Sequence, residues 1–102
     1  MKYTHYAPRA EMIILRGAQA AVERETERIR KEKEQTGSLV GVILFAERAF
    51  EKAAHDFFAM LREMDDQGVD LIIAGAVNDE DSVGLAVMNR MLKAAGYNVI
   101  DV

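Results

Sequence analysis

The sequence predicts an α/β fold, a three-layer α/β/α sandwich built on a small parallel sheet of about four strands. Three observations lead there. Short runs rich in β-branched residues alternate with longer segments of 3.6-residue apolar period. The runs are apolar throughout rather than alternating, as strands covered on both faces are. Glycines stand where the helical periods stop. Strands alternating with amphipathic helices imply right-handed crossovers with helices on both faces of a parallel sheet.

Met12–Leu15 is the first strand, closed by Arg16 and Gly17. Ala18–Gln35 reads as a surface helix with a thin stripe of Ala18, Ala21, Val22 and Ile29 among alternating acids and bases, Glu27 and Lys31 at i,i+4. Gly37 takes the C-terminal cap position. Leu39–Phe45 is the second strand. From Glu47 to Gln67 the period returns to 3.6, with Phe50, Phe57, Phe58, Leu61 and Met64 on a broad core-facing stripe that Gly68 ends. Leu71–Val77 is the third strand. Asn78–Ser82 supplies a loop and a cap, its acids suited to the positive end of a helix dipole. The last helix runs to about Ala95, with Leu85, Met88, Leu92 and Ala95 on one side and Val87, Met91 and Ala94 on the next. Asn98–Val102 is a final short strand. Strand order is left open at this level.

The 102 residues fit one compact domain, 50% hydrophobic and 29% charged. A net charge of −4 lacks the clustered basic face of a stand-alone nucleic-acid binder, so nucleic-acid contact is not expected. Without cysteine there are no disulfides, zinc thiolates or thiol nucleophiles. No signal peptide or membrane-length apolar run is present, and the chain is read as cytoplasmic.

In open parallel sheets ligands bind outside the strand carboxyl ends. The loops there are Arg16–Ala18, Ala46–Arg48 and Val77–Ser82, and none is a phosphate cradle: Gly17 stands alone and no Walker lysine follows any strand. Asp79, Glu80 and Asp81 read as helix-capping acids, with a magnesium site as the lesser alternative. Asp70 precedes its strand, the wrong edge for a phospho-accepting aspartate. His55 lies off the centre of its helix's apolar stripe and reads as surface or rim. Asn89, Arg90 and Lys93 read as a solvated face or as a hold on a partner segment. No nucleophile–base pair can be assembled, and no catalytic or metal-binding residue is assigned.

The opening stretch, "MKYTHYAPRA", has no apolar period, and Pro8 biases Ala7 to extended backbone. Lys2, Tyr3, His5 and Tyr6 are then either a tail folded back on the domain or a linker lying over another domain's site. The stretch resembles the interdomain linker of the two-domain threonylcarbamoyl-AMP synthases, in which Pro-Gly-Met-Lys-Tyr-x-His-Tyr-x-Pro follows a YrdC-type catalytic domain. "FFAMLREMDDQGVDLIIAG" and "GLAVMNRMLKAAG" are similar to the same family's C-terminal extension. The whole catalytic domain is missing and Met1 falls where the motif's own Met stands, so the chain reads as an excised domain or a product begun inside the linker. Separately, the stretch between Phe45 and Ala49 is shorter than family members usually have, which leaves the strand count and the second crossover open.

The resemblance implies a linker over residues 1–10 and a C-terminal Rossmann-like domain over 11–102. It implies the chemistry of a nucleotidyltransferase in tRNA threonylcarbamoyladenosine synthesis, with ATP and magnesium held by the absent YrdC-type domain and no cofactor in this chain. Lys2, Tyr3, His5 and Tyr6 would reach that partner's substrate pocket, and Asn89 and Arg90 would serve domain packing or linker anchoring. The partner is a YrdC-type domain in cis or in trans, and a homodimer is the other way of covering a docking face. A stand-alone α/β module binding a small anion or a protein partner is the alternative reading.

Overall fold

The structure, a computed structural model, describes residues 8–44, 50–76 and 82–102. The elements run β1 (Glu11–Arg16), α1 (Gln19–Gln35), β2 (Val40–Ile43), α2 (Phe50–Asp66), β3 (Leu71–Gly75), α3 (Ser82–Ala94) and β4 (Val99–Asp101). The strands form one four-stranded sheet in the order β2-β3-β1-β4. Every pairing is parallel, with Ile14 opposite Ala74 on one side and Val99 on the other.

That order fixes where the helices go. The connection from β1 to β2 crosses the sheet one way, and those from β2 to β3 and β3 to β4 cross it the other way. Right-handed crossovers then place α1 on one face and α2 with α3 on the opposite face. Packing follows this division through the two-residue period of the strands. Met12, Ile14, Ile72 and Ala74 meet Phe57 and Leu61 of α2 and Val87, Met88 and Met91 of α3. Ile13, Leu15, Leu71 and Ile73 meet Val22 of α1. Each large side chain so buried contributes about 1.5–3 kcal/mol.

The thin stripe expected of α1 is thinner still. Ala18 is exposed, and the buried residues are Val22 and Thr26. Thr26 is admitted because its hydroxyl donates to the Val22 carbonyl at 2.7 Å, leaving no polar atom unsatisfied. The outer face carries Arg28 between Glu25 and Glu32, and Arg30 between Glu27 and Glu34.

β2 is shorter than its apolar run, because it is an edge strand: Leu39 and Leu44 lie outside it, 47% and 45% exposed. α3 faces the sheet through Val87 and Met91, so Leu85 is turned outward and 49% exposed. The Asn78–Asp81 loop, with its acids, and Ala46–Arg48 lie outside the described residues. No helix among the described residues is long and apolar enough to cross a membrane.

Candidate functional site

The two edges of the sheet differ in character. At the strand N-terminal edge, α2 ends beside the lead into β1. The Arg9 backbone N–H donates to both carboxylate oxygens of Asp65 at 3.1 Å each, and the Ala10 N–H donates to Oδ1 at 3.4 Å. The next donor, the Glu11 N–H, goes to the Asp70 carbonyl at 3.2 Å. Three successive backbone donors are thus all engaged. Asp65 is only 7% exposed. Beside it, Gly68 adopts a left-handed φ of +77°, which lets the Gly68 N–H reach the Asp65 carbonyl at 3.0 Å and the Val69 N–H reach the Met64 carbonyl at 3.1 Å. Asp70 ties β2 to β3 at the same edge: its Oδ2 accepts from the Leu39 N–H at 2.9 Å, and its own N–H donates to the Leu39 carbonyl at 2.8 Å.

At the strand C-terminal edge lies the switch point, between β1 and β3, whose following helices leave to opposite faces. Arg16, Gly17 and Ala18 border it from β1, and Ala76 from β3. The Ala76 N–H donates to the Leu15 carbonyl at 2.9 Å, and the Val102 N–H to the Arg16 carbonyl at 2.8 Å. Gly17 is glycine for a packing reason: a Cβ there would sit 2.4 Å from the Val102 carbonyl oxygen. The Arg16 guanidinium pairs with Asp101, Nε to Oδ1 at 2.7 Å, and this holds the Asp101 carboxyl below the usual carboxylate range.

An open groove of about 530 Å³ runs between α1 and β4, lined by Ala21, Arg24, Glu25, Arg28, Ile100, Asp101 and Val102. Its charges are largely spent internally: the hydrogen bond from Arg28 lowers the Glu25 pKa, and Asp101 is held by Arg16. Among the described residues no group of three or more His, Asp or Glu side chains could hold a metal ion.

Of the residues singled out in the sequence, Lys2, Tyr3, His5 and Tyr6 lie outside the described residues. Asn89 and Arg90 sit on the exposed face of α3, and neither has a hydrogen-bond or ion-pair partner among the described residues. The contact that holds the end of the opening segment is made by Asp65, a residue that sequence reasoning passed over. A signal was there: paired acids, Asp65 and Asp66, at a helix C-terminus, where the dipole disfavours them.

Comparison with known proteins gives these features a context. A family model described as threonylcarbamoyl-AMP synthase, C-terminal domain, matches residues 1–96. The chain is 43% identical over 112 residues to a threonylcarbamoyl-AMP synthase of Pyrococcus abyssi (strain GE5 / Orsay), covering 100% of this chain and 33% of that protein. It is 37% identical over 116 residues to the synthase of Bacillus subtilis (strain 168), covering 98% of this chain and 32% of that protein. Both alignments are longer than the chain itself, so these relatives carry positions that it lacks. A crystal structure of P. abyssi Sua5 complexed with L-threonine superposes with a TM-score of 0.87 at 40% identity, over 100% of this chain and 33% of that one. The chain spans about a third of the length of the curated relatives it matches.

Proposed function

Because this chain belongs to the family of threonylcarbamoyl-AMP synthase C-terminal domains, we propose that it is the accessory, regulatory domain of an L-threonylcarbamoyladenylate synthase, silent by itself. The reaction condenses L-threonine, bicarbonate and ATP into threonylcarbamoyl-AMP, releasing pyrophosphate and water. The product supplies threonylcarbamoyladenosine to tRNA. ATP and its magnesium belong to a YrdC-type catalytic domain, joined in cis or met in trans.

One observation carries the reading. The family match begins at residue 1, so the opening segment is as much part of the family pattern as the folded body. Residues 1–10 act as the linker, and Lys2, Tyr3, His5 and Tyr6 lie over the partner's active site. Their rings and charges close the pocket, hold threonine and adenylate, and keep water from an intermediate that hydrolyses readily. The body is consistent with this division of labour, since among the described residues Arg16 and Asp101 at the strand C-terminal edge are occupied with each other. Asn89 and Arg90, exposed on α3, offer polar contacts to the catalytic domain.

The test is pyrophosphate release from ATP, L-threonine and bicarbonate by this chain, by a YrdC-type domain, and by the two mixed, with a Tyr3/His5/Tyr6 alanine variant as control. The reading requires a silent chain and a mixture that differs from the catalytic domain in a way the variant abolishes. Turnover by the chain alone overturns it.

A further inference from the structure

We infer that Asp65 is the anchor of the lead into β1: it ties the Arg9 and Ala10 backbone to the end of α2, and so acts as a positioning residue for the linker function proposed above. The inference rests on the linker reading above for its functional half, and on the geometry alone for its structural half.

The placement of this carboxylate is unfavourable on local grounds. It is buried, it lies in the last turn of α2 where the helix dipole is negative, and that turn contains no basic residue. A buried carboxylate is tolerated when hydrogen bonds replace its water. Here the donors come from the Arg9 and Ala10 backbone, 56 and 55 residues away in sequence. Backbone donors hold the chain itself rather than a side chain, so the bonds set the path of the peptide. Ala10 also packs against the α2/α3 core, and the Glu11 N–H is held by the Asp70 carbonyl just before β3, so the lead into β1 meets the body over three consecutive residues. A local rule is broken at Asp65, and the compensation falls on the one stretch that joins body to linker.

The experiment has two arms. In the first, amide hydrogen exchange is followed in the 102-residue chain and its Asp65→Asn and Asp65→Ala variants. Loss of charge-assisted hydrogen bonds should raise exchange at Arg9 and Ala10 by about ten- to a hundredfold, with Ile72 and Ile73 unchanged. Unchanged rates at Arg9 and Ala10 overturn the anchor, and so does an equal rise at Ile72 and Ile73, which would make Asp65 a general stability residue. In the second, each variant is mixed with a YrdC-type domain and pyrophosphate release is measured against L-threonine concentration. Asp65→Asn should raise KM for threonine and leave kcat nearly constant, in the direction of the Tyr3/His5/Tyr6 alanine variant. If that alanine variant changes release and Asp65→Asn does not, the positioning role falls while the linker reading stands. If the alanine variant changes nothing, the linker reading falls and takes the positioning role with it.

Discussion

Gly41 of β2 lies directly under Met64 of α2: a Cβ added to Gly41 would come within 2.8 Å of the Met64 sulfur. Met64 precedes Asp65, so consecutive residues press on the edge strand and hold the lead into β1. Gly41→Ala should cost about 1 kcal/mol, because a thioether can rotate aside, and Gly41→Val toward 3 kcal/mol. Urea denaturation gives both values, and combining Gly41→Ala with Met64→Ala should cost less than the sum of the two changes. Gly17→Ala meets a carbonyl oxygen at 2.4 Å instead of a flexible side chain. It should cost more than Gly41→Ala in the same measurement.

Phe57 is 1% exposed and packs between α2 and the sheet, its ring 5.6 Å from that of Phe58. Phe57→Ala should lower stability by about 3–5 kcal/mol, a large share of what a domain of this size has. Chemical denaturation monitored by circular dichroism checks it.

Three surface carboxyls, Asp101 exposed and Glu25 and Glu27 partly covered, should titrate below their ordinary values: Glu25 through its hydrogen bond from Arg28, Glu27 through that from Arg30, and Asp101 through that from Arg16. Their folded pKa values are depressed, so whatever stability they contribute is present above about pH 4 and lost as pH falls through the folded values. The groups are solvent-screened, and the loss should be a minor part of acid unfolding. Carbon-detected NMR titration of the carboxyls should show the depression, and about 1 M salt should shrink it.

Asn89→Ala and Arg90→Ala should leave stability within about 0.5 kcal/mol, because both side chains are exposed on α3. If these residues contact the catalytic domain, the pair should weaken association with it, measured by calorimetry against the unaltered chain.

The alternation of strand and helix was legible because each apolar run is short, β-branched and bounded by glycine or acid. Strand order was not. Met12–Leu15 and Leu71–Gly75 read alike, since both are buried on two faces, and nothing local marks β1 as sitting between β3 and β4. The ends of β2 were overextended because Leu39 and Leu44 are as apolar as core residues while standing at an open edge. The outward turn of Leu85 was hidden by a helix apolar on two adjoining sides. The partners of Asp65 were illegible for another reason: although the paired acids at the end of α2 mark the position, its donors are backbone N–H groups, which every residue carries and no sequence pattern displays.

The central position of β1 also sets an order of assembly. Arg16 and Asp101 meet across a separation of 85 residues, and Arg9 waits for Asp65 across 56. A chain emerging from the ribosome makes its first strand early and cannot pair it on either side until the last third of this sequence has appeared. Contacts of such sequence separation close slowly. Any domain encoded upstream is complete by then and free to fold first. The bonds from the Arg9 and Ala10 N–H groups to Asp65 form only after α2 has been synthesised and docked, so the lead into β1 is tied down late in the birth of the protein.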